Sequence, residues 1–431
     1  MNWQHHSRAW CLRLIFVICL AWPFRKVSEG ARDPKQIASE LAANTHAAED
    51  VQDRGSPDHQ RAHALFPVER GGKYGFIDAT GHLVIRPQYS EVRPFYEGVA
   101  SVTVRRKTGF IDATGKMVIP PNYSFAFKFS EGLGRVRLGK KWGYIDKSGQ
   151  MVIHPTYDSA DDFSDGLAAV GVHHKWGYID KAGHLVIPFE DRRAFPFSEG
   201  VASIEIGSKW GLIDKAGRLV VTPQYDDQIV FKEGLAAVKV ADKWGYINRA
   251  GQFAIPPQFD SVGEFSEGLA AVRTKDKWGF IDRNGETVIP PKFAWSLDSA
   301  VLTGSMAPKF SGGLAPMPSS AKWGCINRSG EMVISPRYDT IADFSDGLAA
   351  AEVDGKWGFI DTGGQMVIPP QFDWQFNIGS LGMALKFSGG LALVNGEREW
   401  GYIDKTGKYV WGPVKHPSCR ACWIEWLSWI G

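Results

Sequence analysis

Two thiols three positions apart, Cys419 and Cys422, with His416 just upstream, are the nearest approach to a metal site in this sequence of 431 residues. Zinc held by a Cys-x-x-Cys step takes a second matching pair of ligands, and the sequence offers none. The other cysteines are scattered: Cys11 and Cys19 lie in an apolar amino-terminal stretch, and Cys325 stands alone in a strand pattern. Five cysteines are too few for a disulfide scaffold in a chain this long. Catalytic groups are no better assembled. The serines occupy turns, His173 and His174 sit side by side in one predicted hairpin, and no G-x-S-x-G, H-E-x-x-H or phosphate-loop motif occurs. No cofactor, metal or catalytic residue is expected, and an enzyme ranks third among the readings of function.

Three recurring residue types could still do chemistry. Lysine recurs at Lys73, Lys107, Lys141, Lys175, Lys209, Lys243, Lys277, Lys322 and Lys356, and Glu399 breaks the series. An acid recurs at Glu97, Glu131, Asp165, Glu199, Glu233, Glu267 and Asp346. If the units stack, each column lines up, and like charges in a row repel unless they pair. Lateral pairing between the lysines and these acids is the expected arrangement, worth under about 1 kcal/mol a pair. A lysine stripe for an anionic glycan or polymer is the alternative. Asp or Asn opens a four-residue turn in each unit; one such Asp, committed to its own turn, does not supply the several converging oxygens that calcium needs. Tryptophan can stack on sugars and cations. Trp142, Trp176, Trp210, Trp244, Trp278, Trp323, Trp357 and Trp400 each precede a glycine, which suits a core wedge beside a closely approaching backbone.

These residues are placed by a repeat. The aromatic-Gly step recurs at Tyr74 and at those eight tryptophans, with Thr108-Gly109 in the one vacant slot. The period is 34 residues, widening to 45 between Trp278 and Trp323 and to 43 between Trp357 and Trp400. Ten units result, beginning near Leu65, Val99, Leu133, Leu167, Val201, Leu235, Leu269, Leu314, Leu348 and Leu391. In the unit from Leu235 to Gly268, Leu235 to Val240 and Lys243 to Ile247 alternate as strands. Asn248 opens and Gly251 closes a turn in which the side chain bonds its own backbone and glycine takes a positive φ. A third strand runs from Gln252 to Ile255, and Pro257 is expected to stop it. About three short strands cannot bury an apolar face alone, so neighbours must pack on one another. With 48 glycines, 24 prolines and no period of 3.6, the array is expected to be all-β.

The pattern K-W-G-[YF]-I-D-x-x-G-x-x-V-I-P-P-x-[YF]-D…F-S-E-G resembles the WG-repeat family, also called the KWG repeat, which occurs widely in bacterial proteins. The likeness covers residues 65 to about 413. It implies a β-repeat array with no enzymatic activity attached to the motif and no defined catalytic or ligand residues. An open superhelix or solenoid is the expected form, and β-propeller-like rings the alternative.

Two units depart from the rule between the P-P and F-S-x-G steps, near residues 294–309 and 373–386. Both insertions carry large apolar residues, Trp295, Met306, Trp374, Phe376 and Met383, and both units have glycine in the acid slot, Gly312 and Gly389. Insertions at one point of two units should emerge on one side of the array, and aromatics with methionine mark contact patches. These five residues are the expected binding patch, against a reading in which each loop packs on its own unit.

The ends are of other kinds. Arg8 and Arg13 precede the apolar run Leu14 to Trp22, too short to span a bilayer but suited to a signal peptide, so residues 1–30 read as a signal peptide or amino-terminal anchor. Residues 31–64 are a polar linker in which Asp33-Pro34-Lys35-Gln36 looks like a helix start. Residues 414–431 form a Trp-rich tail, with Trp423, Trp426 and Trp429 three apart, suited to a short helix. Lys plus Arg is 49 against 47 acids, with no basic run, which argues against nucleic acid. The expectation is an exported, non-enzymatic binding or scaffolding protein. Its partner is expected to be a protein, with a cell-surface or cell-wall glycan as the alternative, and no membrane segment beyond the leader.

Overall fold

A computed structural model describes residues 64–294, 307–319, 321–373, 385–395 and 399–415. Every regular element among them is a strand. The strands form ten small antiparallel sheets, eight of four strands and two of three, and within each sheet the spatial order follows the chain. In the sixth sheet the order is Phe231–Lys232, Leu235–Val240, Lys243–Ile247 and Phe253–Phe259.

Two features of the unit differ from the sequence expectation. A fourth strand, often only two residues long such as Ser159–Ala160, precedes the long hairpin in most sheets. It is too short to show alternation. The proline pair does not end the last strand either, since Phe253–Phe259 runs through Pro256 and Pro257. That strand is a sheet edge, so a missing amide costs no ladder bond on its open side. The register also slips there, with Tyr246 opposite Ile255 but Trp244 opposite Phe259. This bulge folds backbone over the W-G glycine: a Cβ on Gly245 would stand 2.5 Å from the Ile255 carbonyl oxygen and 2.7 Å from the Pro257 nitrogen. Glycine is therefore required by a close approach, not by its φ.

The sheets pack face to face around a ring. Phe76, Ile85 and Tyr89 of the first sheet share a cluster with Val102 and Ile111 of the second, and such two-sheet clusters continue along the chain. A last cluster joins Trp400, Tyr402 and Leu391 of the tenth sheet to Val68 and Ile77 of the first, with Phe66 edge-on to Tyr402 at 5.6 Å. The array is thus a closed ten-bladed β-propeller. Of the two architectures compatible with the repeat, the ring forms and the open superhelix does not. No sheet combines strands from the two ends of the array, so closure rests on side-chain packing across this seam.

Antiparallel order gives the ring two faces. On one, the turn face, lie the F-S-x-G turns joining first to second strands and the D-x-x-G turns joining third to fourth. On the other, the hairpin face, lie the hairpins before each K-W-G and the links between blades. The strands before the two insertions, Thr287–Ala294 and Met366–Phe372, end on the hairpin face. The expected patch residues Trp295, Met306, Trp374, Phe376 and Met383 lie outside the described residues, as do the leader, the polar linker and the tail beyond residue 415.

Candidate binding face

On the turn face the seven acids of the F-S-x-G turns are each engaged by the neighbouring blade. The acid of F-S-x-G adopts a left-handed backbone, with φ from 50° at Glu97 to 57° at Glu199. Such a conformation costs a non-glycine residue about 1 kcal/mol or more, and what the acid gains is a reach across the blade boundary. Glu131 of blade 3 accepts the Gly166 amide of blade 4 at 3.0 Å, and Asp165 accepts the Gly200 amide of blade 5 at 2.7 Å. A cation from the next blade's D-x-x-G turn joins it: Lys147 lies 3.2 Å from Glu97, and Lys181 lies 3.0 Å from Glu131. Arg249 pairs with Glu199 in the same way, its Nε donating at 2.8 Å. Beside several of these acids a serine adds a second link: Ser130 Oγ donates to the Phe163 carbonyl at 2.7 Å and Ser164 Oγ to the Phe197 carbonyl at 2.6 Å. The turn Asp works locally. Asp146 Oδ1 accepts the Ser148 hydroxyl and the Ser148 and Gln150 amides, and these bonds, the hydroxyl's first, hold its carboxyl below the usual range.

The hairpin face carries a different clamp, and here the expected pairing of the two charge columns is wrong. The K-W-G lysines do not meet the F-S-E-G acids, which sit on the opposite face. Five of them meet instead an Asp 17 residues on, at the entry to the next blade: Lys141 reaches Asp158 at 2.6 Å and Lys209 reaches Asp226 at 2.6 Å, whereas Lys175 lies 3.7 Å from Asp191 and Lys277 has Ala294 in that register. Lys243, Lys322 and Lys356 pair with Asp260, Asp339 and Asp373. The second carboxylate oxygen accepts an amide from the next blade's hairpin, His173 onto Asp158 at 3.0 Å and Lys275 onto Asp260 at 2.9 Å.

The tryptophans line the blade interfaces unevenly. Trp142, Trp176, Trp210 and Trp244 are half-buried, whereas Trp278, Trp323, Trp357 and Trp400 are buried, the last only 1% exposed. Trp210 stacks at 4.9 Å on Phe195 and Trp142 at 5.5 Å on Phe127. In blade 2 both partners change, to Thr108 and Arg93. Arg93 turns to Phe127 of blade 3, which Arg135 also covers, at 4.5 and 4.1 Å. A small polar notch remains, lined by Glu91, Arg93, Ser101, Thr103, Thr108 and Phe125.

Other titratable groups serve the core. Tyr144, Tyr178 and Tyr246 each donate a hydroxyl to a backbone carbonyl of the next blade at 2.6–2.7 Å, and burial raises all three pKa values. Cys325 takes that position in blade 8, where burial pushes its thiol up to about 12. A thiol so disposed stays protonated and unreactive at neutral pH. Among the described residues, no three His, Cys, Asp or Glu side chains converge as metal ligands would.

No curated protein sequence matches the chain. Among solved structures it is similar to a eukaryotic initiation factor, at 13% identity over 72% of this chain and 94% of that one, with a TM-score of 0.44. It is also similar to Kluyveromyces lactis Hsv2, at 10% identity over 64% and 87%, TM-score 0.30. A third is the dihydro-heme d1 dehydrogenase NirN, at 12% identity over 71% and 80%, TM-score 0.33. The family of the WG containing repeat matches nine segments: 74–107, 109–142, 142–173, 176–210, 210–244, 244–278, 278–295, 323–357 and 357–395. With the W-G step, the bulge over its glycine and the two rows of clamps recurring through these segments, the chain belongs to the WG-repeat family.

Proposed function

We propose that this protein is a non-enzymatic, exported binding platform that holds a protein partner on its hairpin face. The observation that supports this reading is the contrast between the faces. The F-S-x-G acids of the turn face are engaged in links between blades, so that row varies little around the ring. Hairpin tips are exposed and differ blade by blade: Arg105-Arg106, Gly139-Lys140, His173-His174, Gly207-Ser208, Lys275-Asp276. A rigid ring displaying variable tips is suited to recognition, because the scaffold's order is already established before binding. Export rests on the leader read in the sequence. An acidic glycan is a second reading, favoured by the charge of the first hairpins.

The test uses the full chain in two forms, one with charge reversals at the hairpin tips and one with reversals at exposed turn-face lysines. Capture and cross-linking of partners from the native cell envelope should fail for the first form alone. Equal capture by both forms, or an intact amino terminus on a cytoplasmic protein, contradicts the proposal.

A further inference from the structure

The hairpin-face clamp is missing where positive charge is densest. In the 17-residue register that sets Asp158 against Lys141, Ser90 stands opposite Lys73 and Ser124 opposite Lys107. Neither serine substitutes for a carboxylate. Ser90 Oγ donates to the Thr103 carbonyl at 2.9 Å, and Ser124 Oγ to the Arg137 carbonyl at 2.9 Å. The hairpins beside these junctions add Arg70, Arg106 and Lys140, all exposed. The tips of blades 6, 7 and 9 bring acids instead, Asp242, Asp276 and Asp354. Arg70, Lys73, Arg106, Lys107 and Lys140 make no ion pair with any described residue. Two consecutive blade junctions thus combine an exposed lysine, extra cations and the loss of the acid that the repeat normally supplies. Phe125, 48% exposed, stands between them with the Arg137 guanidinium 5.7 Å from its ring centroid.

We infer that the hairpin face of blades 1–3 binds an acidic polysaccharide, whose carboxylate or sulfate groups take the places that aspartates hold at five other junctions. The inference rests on the hairpin face being the binding face and narrows it to one sector and one ligand chemistry. Two junctions one blade apart call for a ligand with repeated acid groups, not a single small anion. A polysaccharide fits better than nucleic acid. The cations come one hairpin at a time rather than as a continuous track for a phosphate on every nucleotide, and one exposed ring is not a stacking platform. Phe125 is instead placed to cover the apolar face of a sugar.

The experiment titrates the full chain with polygalacturonate at an ionic strength of about 0.15 M, with pullulan as neutral control and duplex DNA as the competing polyanion. The wild type should bind polygalacturonate in preference to DNA and should not bind pullulan. Ser90→Asp with Ser124→Asp restores the internal acids, so it should weaken binding about tenfold or more while leaving the melting temperature unchanged or raised. Arg106→Ala with Lys140→Ala, two exposed changes that leave the core alone, should weaken binding similarly. Lys243→Ala, at a clamped junction, should not. Tighter binding to DNA, no binding to polygalacturonate, or full binding by both double variants overturns the inference. If partner capture from the envelope persists without polygalacturonate binding, only this inference fails and the binding platform stands.

Discussion

Between blades 3 and 4, Glu131 accepts the Gly166 amide and pairs with Lys181. Between blades 10 and 1, the same two slots hold Gly389 and Ala79. The boundary between blades 8 and 9 repeats the exchange, with Gly312 for the acid and Thr362 for the cation. Acid and cation are therefore lost together, on residues far apart in sequence that meet only in the ring. At both exceptions apolar contact takes over. A Cβ on Gly389 would stand 3.2 Å from the Phe66 ring, and one on Gly312 would stand 3.3 Å from Phe344 Cβ. The difference shows that a blade boundary can be held by a surface latch or by closer packing. Where closer packing is used, the matching charge is removed from both sides, so neither partner is left alone.

The largest effect should come from the packed seam. Trp400→Ala removes a side chain that is 1% exposed and shared between the first and last blades, at a cost of about 3–5 kcal/mol. Trp244, half-buried at an ordinary boundary, should cost roughly half as much on replacement by Ala. Denaturant melts give the magnitudes, and hydrogen exchange should show loss of protection in blades 1 and 10 for the first variant and in blade 6 and its neighbours for the second. Equal, local effects would mean that the seam is no different from other boundaries.

Next comes installing the latch where the ring lacks it. Gly389→Glu places a side chain against Phe66 and leaves its charge without a cation, and overpacking of this kind costs about 1–3 kcal/mol. Adding Ala79→Lys should recover part of that loss, by under about 1 kcal/mol since the pair is at the surface. A double-mutant cycle with no coupling would show that the acid and cation slots at the seam do not face each other. The converse change, Glu131→Gln, keeps the shape but removes the ion pair with Lys181, whose side chain is 47% exposed. Its cost should be under about 1 kcal/mol, falling toward zero in high salt.

Much of this was legible in the sequence, and what was not has physical reasons. Periodicity and the Asp-to-Gly turn marked the three long strands, because alternation and a positive φ leave residue-level traces. The two-residue strand leaves none. Ring closure depends on a small rotation between neighbouring blades and on Phe66 and Val68 fitting Trp400 and Tyr402 at the far end of the array. The lysine column was visible, but its partner was misassigned to the F-S-E-G acids. The correct signal was present as an Asp 17 residues after Lys141, Lys209, Lys243, Lys322 and Lys356, replaced by Ser90 and Ser124 after Lys73 and Lys107. The basic sector escaped notice because its charges are spread one hairpin per unit and never form a run.

The smallest effect per residue is also the one that separates the two unlatched boundaries. Blades 8 and 9 lack the acid latch but keep the ion pair of Lys309 with Asp343, at 2.8 Å, and a hairpin-face clamp, Lys322 with Asp339; in the tenth blade Glu399 stands in the lysine slot, so no such clamp forms at the seam. The hydrogen bond from Lys322 lowers the Asp339 pKa, helped by the Asp354 amide. Asp158 and Asp260 are lowered in the same way by Lys141 and Lys243. A carboxyl whose pKa is lower folded than unfolded contributes stability above its unfolded pKa, about 3.9. That contribution is lost as pH falls through the folded value. Acid below about pH 4 should therefore loosen the boundary between blades 8 and 9, as the Lys322–Asp339 clamp is lost, before it loosens the packed seam. The boundary of blades 3–4 should lose its hairpin-face clamp over the same range but keep the hydrogen bond from Ser130 Oγ to the Phe163 carbonyl on the turn face. Hydrogen exchange across a pH series can follow each boundary separately. Asp339→Asn should reproduce at neutral pH the opening that acid produces in the wild type. If blades 1 and 10 lose protection first instead, packing at the seam is weaker than the contacts between blades 8 and 9 that survive acid.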